Sequence, residues 1–458
     1  MEKVHFIGIG GTGISAIARL LLERGIEVSG TDLHASPYFD AVTRLGARTQ
    51  LGHHPDMALA AEVVVRSSAV KDDDPEVLAA KDAGIPVLKR SEFLPHLTVG
   101  AKTLAIAGSH GKTTTTAMVV HLLRAAGLDP SFILGADIKG LQSNAHSGKA
   151  DLFVIEADEY DYMFLGLTPT VSVVTNIEYD HPDFFPTNRH YTYAFVDFLG
   201  KTVQEGVALL GIDDTGVRKL LPFLTFPNRK LLTFGYDPSS DYQVVDYMVI
   251  EAVQSFKIRL PDGGEAGPFS VHQPGKFNVL NAAAALATAH VTGIDLRELG
   301  NAFASFEGTS RRFDRVCGNT EIMVFNDYGH HPSQLSQTIQ GARQSYPGYK
   351  IWAVWEPHTI SRTRRLQRDF TKALAEADQS VILKLFGARE DNPSFTPGTI
   401  ANEIGKGKCV YLPENDEAIN YIEQNLGGKD LLIVFSAGKG PEFSTELCGK
   451  LNLEASND

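Results

Sequence analysis

The chain has 458 residues, of which 21% are charged, with a formal net charge of −13 and three cysteines. That length exceeds one hydrophobic core and suits about three domains, and the acidic balance argues against a nucleic-acid backbone or an anionic membrane as the main partner. No apolar run approaches the ~18 residues of a membrane span, and Cys317, Cys409 and Cys448 show no metal-ligand spacing, so the expectation is a cytoplasmic enzyme in a reducing compartment, with no structural zinc and no membrane insertion.

The chain enters a strand pattern at residues 4–9, with no secretory leader pattern ahead of it. The run GIGGTG at 8–13 follows, then a helical pattern at 14–24, a strand at 27–30 and Asp32. This is G-x-G-x-x-G in a strand-turn-helix setting, with an acidic residue roughly 20 positions on. Two ligands fit. One is the diphosphate of a UDP-sugar on Gly10, Gly11, Thr12 and Gly13, with Asp32 on a ribose hydroxyl; the other is a nicotinamide dinucleotide. Ser67 and Ser68, after a strand at 63–66, are candidates for the same ligand. A further strand at 86–88 completes a Rossmann-like α/β domain over 1–100, short for a full dinucleotide site.

The second domain, 101–309, opens on an apolar strand at 103–107, the loop GSHGKTT at 108–114 and a helix at 114–126. Gly108 and Gly111 free backbone N–H groups to face phosphate oxygens. Lys112 adds a point charge, and Thr113 a hydroxyl for Mg²⁺. The spacing is one form shorter than G-x-x-x-x-G-K-[ST], and a lone GKT also occurs at ordinary helix starts; the preceding strand favours ATP. Strands at 152–157 and 171–176 end in EADEYD (156–161) and NIEYDH (176–181). Parallel strands gather their C-termini on one edge, so Glu156 and His181 are expected beside the phosphate loop. Metal ligation with Thr113 is the preferred role for both, acid–base work the alternative. After about residue 205 the pattern turns strand-rich, and QPGKFNVLN (273–281) leads into an Ala-rich helix at 282–290.

The third domain, 310–458, alternates strands at 322–325, 350–355, 380–385, 409–412 and 431–436 with helices such as 362–377. The whole is therefore α/β with three domains: Rossmann-like, P-loop ATPase-like and Rossmann-like.

Taken in order, these motifs, with RRF at 311–313 and DYGHHP at 327–332, resemble the Mur ligase family of ATP-dependent amide-forming enzymes of peptidoglycan precursor synthesis. The resemblance implies ATP and Mg²⁺ as cofactors and UDP-N-acetylmuramate as substrate. It also implies an acyl phosphate formed from the muramoyl carboxylate and then captured by an amine. By position it assigns Lys112, Glu156, His181 and Arg312 to catalysis and Thr113, Glu156 and His181 to metal. ATP falls to Gly108, Ser109, His110, Gly111, Lys112, Thr113, Thr114, Asn278, Asn281, Arg312 and Asp327, and the carboxylate and incoming amine to His330 and Arg362. The motifs are most similar to the alanine-adding branch; the branch that adds a whole tripeptide shares FVIEADEYD (153–161). Thr359 stands where the alanine-adding branch usually has an arginine, and FSAGKGP (435–441) replaces that branch's usual run. A nicotinamide oxidoreductase and a non-catalytic nucleotide sensor are the alternatives from other classes, and a monomer or homodimer is expected.

Overall fold

The computed structural model describes residues 1–225, 229–387, 390 and 395–456. Its backbone forms three sheets. The first is all parallel in the order Arg48–Leu51, Glu27–Asp32, Lys3–Ile7, Val63–Arg66, Val87–Lys89. Val4, Phe6 and Ile7 on the central strand are buried, as a strand covered on both faces requires. The order reverses beside Lys3–Ile7, and the Gly8 loop leaves the sheet at that switch point.

The second sheet has ten strands. Its parallel part places Lys102–Ala107 between Val171–Val174 and Leu152–Glu156. The registers pair Val174 with Ala107 and Glu156 with Ile106, so three strand ends finish level. The irregular stretch after 205 becomes the antiparallel extension Tyr242–Ile250, Val253–Arg259, Glu265–Val271. The Ala-rich helix runs Lys276–Val291, longer than its alanine run, and buries Ala282, Ala283, Ala284 and Ala285 in one core with Lys112–Ala125. Small side chains let the two helices approach closely.

The third sheet orders Asp314–Gly318, Ile322–Asp327, Asp430–Phe435, Lys350–Trp355, Gln379–Ile382 and Cys409–Tyr411, antiparallel only at its first edge. The single helix expected over 362–377 is two, Ile360–Arg365 and Gln367–Leu374, because Leu366 leaves helical backbone at φ −104°, ψ 19°. Cys317 on the edge strand is disulfide-bonded to Cys448 of the helix Gly440–Lys450. A separation of 131 residues gives no sign of this pairing in the sequence, and it does not fit the reducing compartment expected from the cysteine spacing. Cys409 is a buried free thiol. Among the described residues, no helix is long and apolar enough to cross a membrane.

Candidate active site

The phosphate loop is shaped by its neighbours. Gly108 (φ 138°) and Gly111 (φ 81°) both sit where L side chains are disfavoured, and a Cβ would fall 2.0 Å from Thr175 Oγ1 at Gly108 and 2.4 Å from Asn281 Oδ1 at Gly111. Asn176 Oδ1 accepts the His110 N–H at 2.9 Å, while Asn176 Nδ2 and the Thr175 hydroxyl donate to the His110 carbonyl. The strand end at 174 thus holds the loop that follows the strand end at 107.

Lys112 folds back over its own loop: Nζ donates to the Gly108 carbonyl at 2.5 Å and to Glu159 Oε2 at 2.8 Å. Burial would lower its pKa, but the facing carboxylates of Glu159 and Asp158 prevail and raise it, so the ammonium is charged. Thr113 Oγ1 donates to Glu156 Oε1 at 3.1 Å, and Arg312 Nη2 reaches Thr113 Oγ1 at 3.3 Å from the third domain. Hydroxyl and carboxylate side by side are hard oxygen donors, a set that suits Mg²⁺.

His181 lies nearer to Glu159 than the sequence led one to expect. Its Nε2 is 3.6 Å from Glu159 Oε1, it stands at φ 53°, and Tyr160 packs edge-on against its ring. Glu159, which also accepts from the Tyr191 hydroxyl at 3.0 Å, joins Lys112 to His181 and was missed by the sequence reading. So was Asp180. It is buried and accepts from Arg362 Nε at 3.0 Å and Nη2 at 2.7 Å, with His330 Nε2 at 3.7 Å. Burial would raise its carboxyl, but the charges of His181 and Arg362 pull it well below the usual range. The imidazoles go the other way. Burial, then the Arg362 charge, lowers His330 to about 3 and His358 to about 4, and burial with His110 beside it lowers His331 to about 4. Glu178, despite partial burial, is drawn down to about 2 by the His110 hydrogen bond and the nearby His331.

Two cavities meet at Arg312. One, of about 360 Å³, is lined from all three domains, including Thr12, Gly13, Thr113, Glu156, Arg312 and Tyr328. Both Arg311 and Arg312 guanidinium groups lie 4.8 Å from the Tyr328 ring centre. The other is lined by His110, Gly111, Thr114, Asn278, Asn281 and Asp327 among others. Asp327 is buried, and its oxygens accept the Gly329 N–H at 2.7 Å and the Phe313 N–H at 2.9 Å. Burial raises its pKa against the pull of Arg312.

The first domain contributes unequally. Thr12 and Gly13 face the shared cavity, and Arg90, another residue the sequence reading passed over, occupies the space a Gly13 Cβ would need, with Nη1 at 2.0 Å. Its Nη2 donates to Asp158 Oδ2 at 3.2 Å. Asp32 instead accepts the Gly10 N–H at 2.9 Å and the His34 N–H at 3.3 Å, bracing its own loop. Half-buried Ser67, beside Gly8, and exposed Ser68 follow the strand end, and neither lines either cavity.

Comparison with known proteins places this arrangement. Residues 3–101 match the Mur ligase family catalytic domain, 106–289 the Mur ligase middle domain, and 311–438 the Mur ligase glutamate ligase domain. A UDP-N-acetylmuramate–L-alanine ligase of Oleidesulfovibrio alaskensis is 36% identical over 95% of this chain and 96% of its own. Among solved structures, a UDP-N-acetylmuramate–alanine ligase of Thermotoga maritima is similar with a TM-score of 0.81 at 25% identity, covering 98% of this chain and 99% of its own. A murein peptide ligase of Psychrobacter arcticus gives a TM-score of 0.74 at 23% identity over 98% of this chain and 99% of its own.

Proposed function

The chain belongs to the Mur ligase family, and from that premise we propose that it joins L-alanine to the lactoyl carboxylate of UDP-N-acetylmuramate with conversion of ATP to ADP and phosphate. One observation carries the reading: Thr12 and Gly13, Thr113 and Glu156, and Arg312 and Tyr328 line one cavity from three sheets. We take the domains as 1–100 for the UDP-sugar, 101–309 for ATP and 310–458 for the amine.

The residues support a two-step reaction. The Lys112 ammonium, the loop N–H groups and Arg312 would together offset charge on the terminal phosphoryl group of ATP. The muramoyl carboxylate attacks that phosphorus, the bond to the ADP oxygen breaks, and an acyl phosphate forms. The amine nitrogen then attacks the acyl carbon, loses a proton, and phosphate departs with one former carboxylate oxygen. Thr113 and Glu156, with His181 as a further candidate ligand, would hold Mg²⁺, which would offset charge on the phosphoryl oxygens when bound. Asn278, Asn281 and Asp327 line the side suited to adenine and ribose. His330 and Arg362, gathered on Asp180, are set toward the incoming amino acid. Contact between the second and third domains keeps water from the acyl phosphate.

ADP release measured with UDP-N-acetylmuramate against L-alanine, other amino acids and the cell-wall tripeptide tests this. Release with L-alanine alone is expected. Stimulation by the tripeptide and not by L-alanine would overturn the choice of amine, and AMP as product would overturn the ligase chemistry.

A further inference from the structure

We propose that His110, Glu178, His331 and Ser333 form a second metal site, for a zinc-like divalent ion, that joins the second and third domains. His110 lies in the phosphate loop, with Nε2 2.9 Å from Glu178 Oε2. From the third domain, His331 and Ser333 begin the helix Pro332–Ser345. His331 Nδ1 is 3.6 Å from the same Glu178 oxygen. Ser333 Oγ is 2.5 Å from that oxygen, 3.3 Å from His110 Nε2 and 2.8 Å from His331 Nδ1. One donor atom each from His110, Glu178 and His331 lies within 4.8 Å of the other two.

A four-coordinate ion with bonds of about 2.0–2.1 Å holds its ligands roughly 3.3 Å apart. The observed spacings fall on both sides of that value, so small side-chain shifts seat an ion at the centre. The chemistry of the donors chooses its type. Two imidazoles, a carboxylate and a position open to hydroxyl or water suit zinc, whereas Mg²⁺ prefers oxygen alone. Entry is open, because the Glu178 side chain is 42% exposed and lines clefts on two sides, of about 210 and 400 Å³.

The outer nitrogens, His110 Nδ1 and His331 Nε2, are buried and have no hydrogen-bond partner among the described residues. Metal-bound histidines are usually held there, at a gain of about 10–100-fold in affinity. The site is therefore one that fills and empties with metal supply. Two of its donors come from each domain, so an ion draws the domains together. If the ligase reading holds, an ion there slows the reopening that releases product.

Titration of the full chain with Co²⁺ in excess Mg²⁺, followed by visible absorption, tests the site without any turnover. One equivalent of tetrahedral-type absorption, displaced by Zn²⁺, is expected. It should weaken at least 10-fold in both Glu178→Gln and His331→Ala and persist in His53→Ala, which removes a member of the separate His53, Asp74 and Glu76 cluster. Glu178→Gln keeps the side-chain volume, and its melting curve without metal checks that it folds. Absence of the absorption, its survival in either of the first two variants once folded, or its loss in His53→Ala would overturn the proposal.

Discussion

Two glycine loops open this molecule's first two sheets, and they differ in what surrounds them more than in their own backbone. Both leave a central parallel strand and lead into a helix, Thr12–Glu23 in one case and Lys112–Ala125 in the other. Around Gly8–Gly13 the carboxylate of Asp32 is spent on the Gly10 N–H, and Arg90, paired with Asp158, lies under Gly13. Around Gly108 and Gly111 there are Lys112, Glu159, Glu156 and, from another domain, Arg312. The first loop offers an anion a place to rest. On the proposed reading the second concentrates opposed charges where charge would move during phosphoryl transfer, and this would distinguish holding a substrate from acting on it.

Removing the charge at the second loop should do most. Lys112→Ala is expected to lower the rate of ADP release by about 10²–10³-fold or more while calorimetry shows UDP-N-acetylmuramate still binding; loss of sugar binding would break the division between the loops. Next comes Asp180→Asn, which leaves Arg362 buried without its carboxylate. Urea unfolding should show a loss of about 3–5 kcal/mol, with ADP release reduced as well.

The glycines sharpen the contrast further. Gly111→Ala forces a Cβ at φ 81° onto Asn281 and should raise KM for ATP at least ~10-fold, about 1.4 kcal/mol. Gly13→Ala meets only the end of the Arg90 side chain, which can swing aside, so KM for the UDP-sugar should rise by a smaller factor with kcat nearly kept. Equal effects on both nucleotides would erase the distinction.

A separate test is stability against pH. His330, His331 and His358 titrate near 3–4 when folded against an ordinary 6.5, so below 6.5 the unfolded chain takes up protons that the folded one refuses. Stability must fall as pH drops from 6.5 toward 4. Glu178, held at about 2 against an ordinary 4.5, extends the loss below 4.5. Melting temperatures from pH 8 to 4 should decline across this window, and a flat profile would contradict the buried neutral state of these rings.

The local parts of this site are legible in sequence. A glycine loop after an apolar strand is a short-range pattern, and the parallel-sheet rule brings the ends of strands at 107, 156 and 174 together without knowing any contact. What escaped depends on distant partners. Nothing in EADEYD separates Glu159 from Glu156; the difference lies in the partner, since Lys112, 47 residues earlier, donates to Glu159. Asp180 gains its role from Arg362 and His330, which arrive from another domain. Ser131–Ile138 and Ser143–His146 went unread because Gly135 interrupts the first and the second is a four-residue edge strand of polar and small residues. The hydrogen bond from the Gly10 N–H to Asp32, expected on a ribose hydroxyl, is likewise not written in the motif.

The central claim is that the sugar acid attacks the phosphoryl group held by the second loop. Turnover with UDP-N-acetylmuramate carrying ¹⁸O in its lactoyl carboxylate, ATP and L-alanine reads this directly. One labelled oxygen should appear in the released phosphate for each amide formed. Phosphate free of label beside a normal yield of amide would contradict the account.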